Sequence, residues 1–190
     1  MGGTLSLNQS AGSDHYRYDP ANPAPTIGGA WCCGGLPAGP HDQRPVEMRP
    51  DVLVYTTEVL KEAVPVIGEA TVTLVASSTA PSTAFTAKLV DVHVDGYAQI
   101  IADGIVETPA AEPNSTATYT IKMSATGTVF KPGHRIRLEI SSSNYPRFNA
   151  HSNTTASRAT AKETAVATQT ISWNGTSLNL PVAPISIPKM

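Results

Sequence analysis

The chain has 190 residues, 13 of them basic and 15 acidic, for a formal net charge of −2. That length suits one domain, and the even charge excludes the basic surface that nucleic acids or acidic membranes select. Only 15% of residues are charged while 38 are Ser or Thr, so the surface is built from hydroxyls, a composition that favours sheet over helix.

No run of ~18 apolar residues is present to span a bilayer, and no charged and apolar leader opens the chain. The opening letters Gly2 and Ser6 fit an acylation pattern, but no basic cluster or nearby cysteine supplies a second membrane signal. They read as the start of a domain. Residues 1–50 hold seven prolines and glycine pairs at 28–29 and 34–35. Proline fixes φ and removes a donor, which excludes a long helix or a central strand here. Tyr16, Tyr18, Ile27 and Trp31 predict an extended strap laid over a surface rather than a free linker. Cys32 and Cys33 are adjacent, have no spaced partner and read as free thiols. Asn8, Asn114, Asn153 and Asn174 each open an Asn-x-Ser/Thr triplet.

From Asp51 to the end the pattern is that of a β-sandwich. Val52 to Thr56 is a short β-branched run. Over 70–77, Val72 and Leu74 alternate with Thr71 and Thr73. Residues 85–106 predict a hairpin turning at Asp95-Gly96. Tyr119, Ile121 and Met123 alternate with polar neighbours, and Ile136, Leu138 and Ile140 do so most cleanly. Ile171 with Trp173, then Leu178 to Val182, close the series. About eight short strands, each with one polar face, predict an all-β fold of two packed sheets, a sandwich or jelly roll. The Ala-, Lys- and Glu-containing stretch 156–168 is too rich in Thr to compete as a helix.

Chemistry is sparse. No Gly-x-Ser-x-Gly elbow is present, and Ser13, Asp14 and His15 are sequence neighbours, which rarely aim at one another. Asp91, His93 and Asp95 share a strand face, but same-face residues lie ~7 Å apart, so a third ligand needs a bend. The simpler reading gives Asp91 a structural hydrogen bond and Asp95 the turn, and His15, His41, His134 and His151 form no ligand-spaced pair. Asp103, Glu107 and Glu112 single out no carboxylate pair. No phosphate loop follows Gly28-Gly29. No catalytic residue, cofactor or metal is therefore assigned. Trp173 is expected to face the core. One loop is irregular and specific: Ser141-Ser142-Ser143-Asn144-Tyr145-Pro146-Arg147-Phe148-Asn149. It reads either as a well-bonded loop or as one docked on another surface, since Tyr, Arg and Phe are interface anchors.

Six phrases in register carry a resemblance. They are Tyr18-Asp19-Pro20-Ala21-Asn22-Pro23; Asp42-Gln43-Arg44 with Arg49-Pro50-Asp51; Leu89-Val90-Asp91-Val92 with Asp95-Gly96; Asp103-Gly104; Phe130-Lys131-Pro132-Gly133-His134-Arg135; and the 141–149 loop with Asn153. Together they resemble the C-terminal domain of the X-Pro dipeptidyl-peptidase and cocaine-esterase-like serine hydrolases over residues 16–182. The resemblance implies a jelly-roll sandwich similar to a galactose-binding domain, placed behind an α/β-hydrolase domain that carries the nucleophile, acid and histidine. It implies that residues 1–50 strap the 51–190 sandwich as one unit, that this chain does not hydrolyse substrate itself, and that it packs on the catalytic domain and helps wall its cleft. Trp31, Asn144, Tyr145, Arg147, Phe148 and Asn149 are the expected interface or cleft-lining residues. An isolated domain of this kind should self-associate weakly through that apolar rim. The competing reading is a stand-alone carbohydrate- or surface-binding sandwich.

Overall fold

Alternating burial along the strands sets the architecture. The structure, a computed structural model, describes residues 2–8, 10–30, 35, 38–156 and 161–184. In these residues the elements are β1 (Gly2–Thr4), β2 (Ser13–Tyr18), α1 (Arg44–Glu47), β3 (Leu53–Thr56), β4 (Val64–Ser78), β5 (Ala84–Val92), β6 (Ala98–Glu107), β7 (Ala117–Phe130), β8 (Arg135–Ser141) and β9 (Ala167–Asn179). One layer runs β1-β3-β8-β5-β6 and the other β7-β4-β9-β2. All pairings are antiparallel except β1 with β3. The result is the expected jelly-roll sandwich. Among the described residues no helix is long and apolar enough to cross a membrane.

The core lies between the layers. Ala70, Val72, Leu74 and Ala76 of β4 point inward while Thr71, Thr73 and Val75 stay half-exposed. They meet Phe85 and Leu89 of β5, Ile121 and Met123 of β7, and Leu138 and Ile140 of β8. The layers connect at one backbone pair, Gly104 with Met123. A Cβ on Gly104 would stand 2.1 Å from the Lys122 carbonyl oxygen, so only glycine permits this corner.

Two expectations change. Residues 13–18 are not strap but an edge strand, β2, paired with β9, and Tyr16 and Tyr18 belong to the main core. Their period of two is visible, but Arg17 between them and Asp14 and His15 before them obscure it. The tail is one strand, β9, whose register slips opposite Thr73–Val75, with Gly175 at φ +83° beside it. Val182 then returns to bridge Val66. With β1 added, the described residues hold nine strands rather than eight.

Of the expected strap, described residues 19–30 and 38–50 lie against the first layer. Ala24, Val46 and Val52 form a second small core on the outside of the first layer. The backbone N–H of Gln43 donates to the Ala98 carbonyl, and the Ile100 N–H to the His41 carbonyl. The strap thus covers the β6 edge where β7 does not reach. All nine residues of β5 are buried for this reason, sandwich on one face and strap on the other.

Candidate functional site

Asp103 precedes Gly104, so the corner between the layers places its carboxylate under the 141–149 loop. Asn144 Nδ2 donates to Asp103 Oδ2 at 2.9 Å. Arg147 Nε lies 2.6 Å from the same oxygen, but its N–H is not directed along that contact, so charge rather than a linear hydrogen bond holds the pair. The Ser124 hydroxyl on β7 donates to the Asp103 carbonyl at 3.2 Å and accepts from Arg147 Nη2 at 3.3 Å. The Asp103 side chain is 1% exposed and the Arg147 side chain 18%.

The strap frames this loop from the other side. The Ala24 N–H donates to Ser143 Oγ at 2.8 Å, and the Tyr145 N–H to the Ala24 carbonyl at 2.9 Å. The Thr26 N–H donates to the Tyr145 carbonyl at 2.7 Å, and the Arg147 N–H to Thr26 Oγ1 at 3.2 Å. The Tyr145–Pro146 peptide bond is cis. Tyr16 and Ser142 share a hydroxyl–hydroxyl bond of 2.9 Å beneath.

The sequence-derived candidates therefore divide. Asn144 and Arg147 turn inward onto Asp103, and Phe148 is half-buried with the Arg147 guanidinium 5.0 Å above its ring. Tyr145, 49% exposed, and Asn149 face solvent. Trp31 and both cysteines lie outside the described residues. Sequence reasoning missed Asp103 as the centre of the group and Ser124 as its support. The Asp103-Gly104 phrase was the one available signal.

Three other groupings bear on chemistry. Ser13 and His15 share the outward face of β2, whereas Asp14 is on the opposite face, accepting from Tyr55 Oη and Trp173 Nε1, each at 2.9 Å. No hydroxyl–imidazole–carboxylate relay forms there. Trp173 is half-buried against Gly12 rather than in the core, and does not stand free as a sugar platform.

Beneath the strap, Lys88 Nζ donates to Gln43 Oε1 at 2.9 Å and lies 3.6 Å from Glu139 Oε2. Glu47 pairs with Arg137 at 2.6 Å. Burial pushes the Glu139 carboxyl up to about 7; Lys88 opposes this and the neighbouring Glu47 adds to it. Thr86, Lys88, Glu139, Ser141 and Ser143 line a gap of about 10 Å³, the size of one water. Glu139, its side chain 3% exposed, is too enclosed to meet a glycan. A second, open depression lined by Gly2, Gly3, Arg44, Glu47, Met48 and Val54 carries no aromatic side chain.

The third grouping sits at the far end of β5. His134 Nδ1 lies 2.9 Å and 3.0 Å from the two Asp91 oxygens, and His93 Nε2 lies 3.7 Å from Asp91 Oδ2. The structure thus replaces Asp95 with His134 in the group that spacing suggested.

Comparison with known proteins agrees with this geometry. Residues 3–179 match the family described as the X-Pro dipeptidyl-peptidase C-terminal non-catalytic domain. The chain is 46% identical over 164 residues to cocaine esterase from Rhodococcus sp. (strain MB1 Bresler), covering 80% of this chain and 29% of that protein. An aminopeptidase from a marine sediment Thaumarchaeota archaeon superimposes with a TM-score of 0.79 at 25% identity, over 95% of this chain and 34% of its own. An α-amino acid ester hydrolase superimposes with a TM-score of 0.76 at 24% identity, over the same shares of the two chains, a likeness of fold. The chain spans about a third of the length of these relatives. With the fold, the strap and the corner loop all in place, the chain belongs to the family of X-Pro dipeptidyl-peptidase C-terminal non-catalytic domains.

Proposed function

We propose that this domain packs on an α/β-hydrolase catalytic domain and helps wall the cleft in which that domain cleaves an ester or peptide. The observation that carries this reading is the corner loop. Its backbone is bonded to the strap, its Asn144 and Arg147 side chains are engaged by Asp103, and Tyr145 is left exposed on that base. An aromatic side chain on a backbone fixed in advance loses less entropy on docking than one on a free loop, which suits an interface anchor. The length of the relatives supports a partner of that kind in the same chain. Tyr145 and Asn149 are the contact residues of this surface. Asn144, Arg147 and Phe148 shape it from within.

The test is a graft. This chain replaces the matching segment of cocaine esterase, and ester hydrolysis and thermal unfolding are measured. The graft should restore a folded, active enzyme, and Tyr145→Ala should lower the melting temperature of the hydrolase portion. The 190-residue chain alone should release no p-nitrophenol from esters and no p-nitroaniline from X-Pro substrates. Turnover by the isolated chain, or a graft whose hydrolase portion melts as if nothing were attached, overturns the reading. A glycan array addresses the competing carbohydrate-binding reading, and no retained sugar is expected.

A further inference from the structure

The group at the end of β5 has the donor set and spacing of a metal centre. Asp91 is the penultimate residue of β5, His93 opens the turn to β6, and His134 ends the turn between β7 and β8. Antiparallel pairing of Asp91 with Ile136 brings the two turns together. One ligand atom from each residue lies within 4.8 Å of those of the other two. Ligands at 2.0–2.2 Å around a tetrahedral ion are about 3.3–3.6 Å apart. The Asp91 contacts of 2.9 Å and 3.7 Å bracket that spacing, so small side-chain rotations suffice.

We propose that Asp91, His93 and His134 form a three-ligand site for a zinc-type divalent transition cation, with water completing the shell. Two imidazoles and one carboxylate select borderline ions over magnesium or calcium, which prefer all-oxygen shells. The Asp91 side chain is 7% exposed, that of His134 13% and that of His93 32%, so the site has a dry floor and one open side for entry and for water. Its backbone is held in advance. The His93 N–H donates to the Tyr97 carbonyl at 2.9 Å, the Gly96 N–H returns to the His93 carbonyl at 2.9 Å, and the His134 carbonyl accepts from Leu60 at 2.8 Å. The His93 ring lies between those of Tyr97 and His134, with centroids 5.3 Å and 4.5 Å away. The ion would lie where His134 Nδ1 and the Asp91 carboxylate now face each other at 2.9 Å, each presenting a lone pair to it. The ion staples the end of β5 to the start of β8.

The experiment is a zinc titration of the whole chain, by calorimetry and by thermal unfolding. One ion should bind per chain, and the melting temperature should rise by about 5–10 °C when zinc exceeds its dissociation constant a hundredfold. Cobalt should bind with the intense visible absorption of a tetrahedral nitrogen–oxygen site, and magnesium and calcium should do nothing. His93→Ala, at a half-exposed position where the metal-free domain should still fold, should abolish the zinc effect. His15→Ala, on the exposed face of β2, should preserve it. Asp91→Asn gives a second route if either alanine variant folds poorly, and it too should lose zinc. Absence of zinc binding by the intact chain, binding that survives His93→Ala, or a cobalt spectrum no different from the aqueous ion overturns the proposal.

Discussion

Asp103 carries a charge where almost no water reaches, and it can do so only because Arg147 and Asn144 converge on it. Removing one partner of such a pair leaves the other buried and uncompensated. Asp103→Ala should therefore destabilise the domain by about 3 kcal/mol in urea unfolding, and Arg147→Lys, which keeps the charge, should cost less. Glu139 behaves differently, because its carboxyl is raised to about 7 from an ordinary 4.5. The folded state then holds a proton that the unfolded chain releases above pH 4.5. The stability linked to Glu139 is complete below that value and is lost as pH rises through 7. His151, whose burial holds its pKa below the usual 6.5, works in the opposite sense, losing stability as pH falls below that value. Comparing wild type with Glu139→Gln isolates the first effect. The variant should be the more stable at pH 8, and the difference should vanish near pH 4. Neither carboxylate was singled out by its sequence neighbours. Asp103 lies 41 positions from Asn144, and Lys88 lies 45 from Gln43. Only sheet register brings such residues into contact.

The elements were legible wherever one face is buried and the other wet. The alternation of Ile136, Leu138 and Ile140 with polar neighbours marks β8, and that of Val72 and Leu74 with threonines marks the middle of β4. Element ends were less legible. β4 starts six residues early and runs through Pro65, which lies outside the ladder with β9, since that begins at Thr71; the tail covers it instead, the Ala183 N–H donating to the Pro65 carbonyl at 3.0 Å. The joint between layers gives the sharpest element-scale prediction. Gly104→Ala pushes a Cβ into the Lys122 backbone and should cost more than about 3 kcal/mol, or prevent folding. Gly96→Ala is the control. It sits at φ +86° with nothing within 4 Å of its Cβ, so it should lose only about 1 kcal/mol through backbone strain. Equal losses at the two positions in chemical denaturation would show that close packing at the corner is not what requires glycine.

Across the whole molecule, the contacts between strap and sandwich lead us to expect that they unfold as one. Gln43, Val46 and Ala24 cover the outer face of β5 and β8, where Lys88 and Glu139 would otherwise meet water without their partners. Urea unfolding should show a single transition, with far-ultraviolet dichroism and tryptophan fluorescence coincident. Deleting residues 1–50 should not yield a smaller folded sandwich, because it removes β2, the core residues Tyr16 and Tyr18, and Ala24 and Val46 of the second small core together. A truncated chain with an undiminished transition would mean the strap is dispensable. The family phrases gain a physical meaning at this scale. Arg49 bonds Asp51 at 2.8 Å and 2.9 Å and reaches the Asn22 carbonyl at 2.6 Å, while the Asp51 carbonyl accepts from Ser141 at 2.7 Å. These motif residues fasten the strap to the sheet and the loop above it.

The amino-acid order alone determined the all-β class, most strands, the family and the lack of a hydrolytic elbow, because each of these is written in a local period or a contiguous phrase. Tertiary structure decided which side chains meet. It joined Asp103 to Arg147, buried a lysine and a glutamate beneath proline-rich chain, made a strand of residues 13–18, and set His134 beside Asp91 and His93. Those outcomes depend on strand registers fixed by packing across the whole sandwich, and local alternation carries no record of which strands become neighbours.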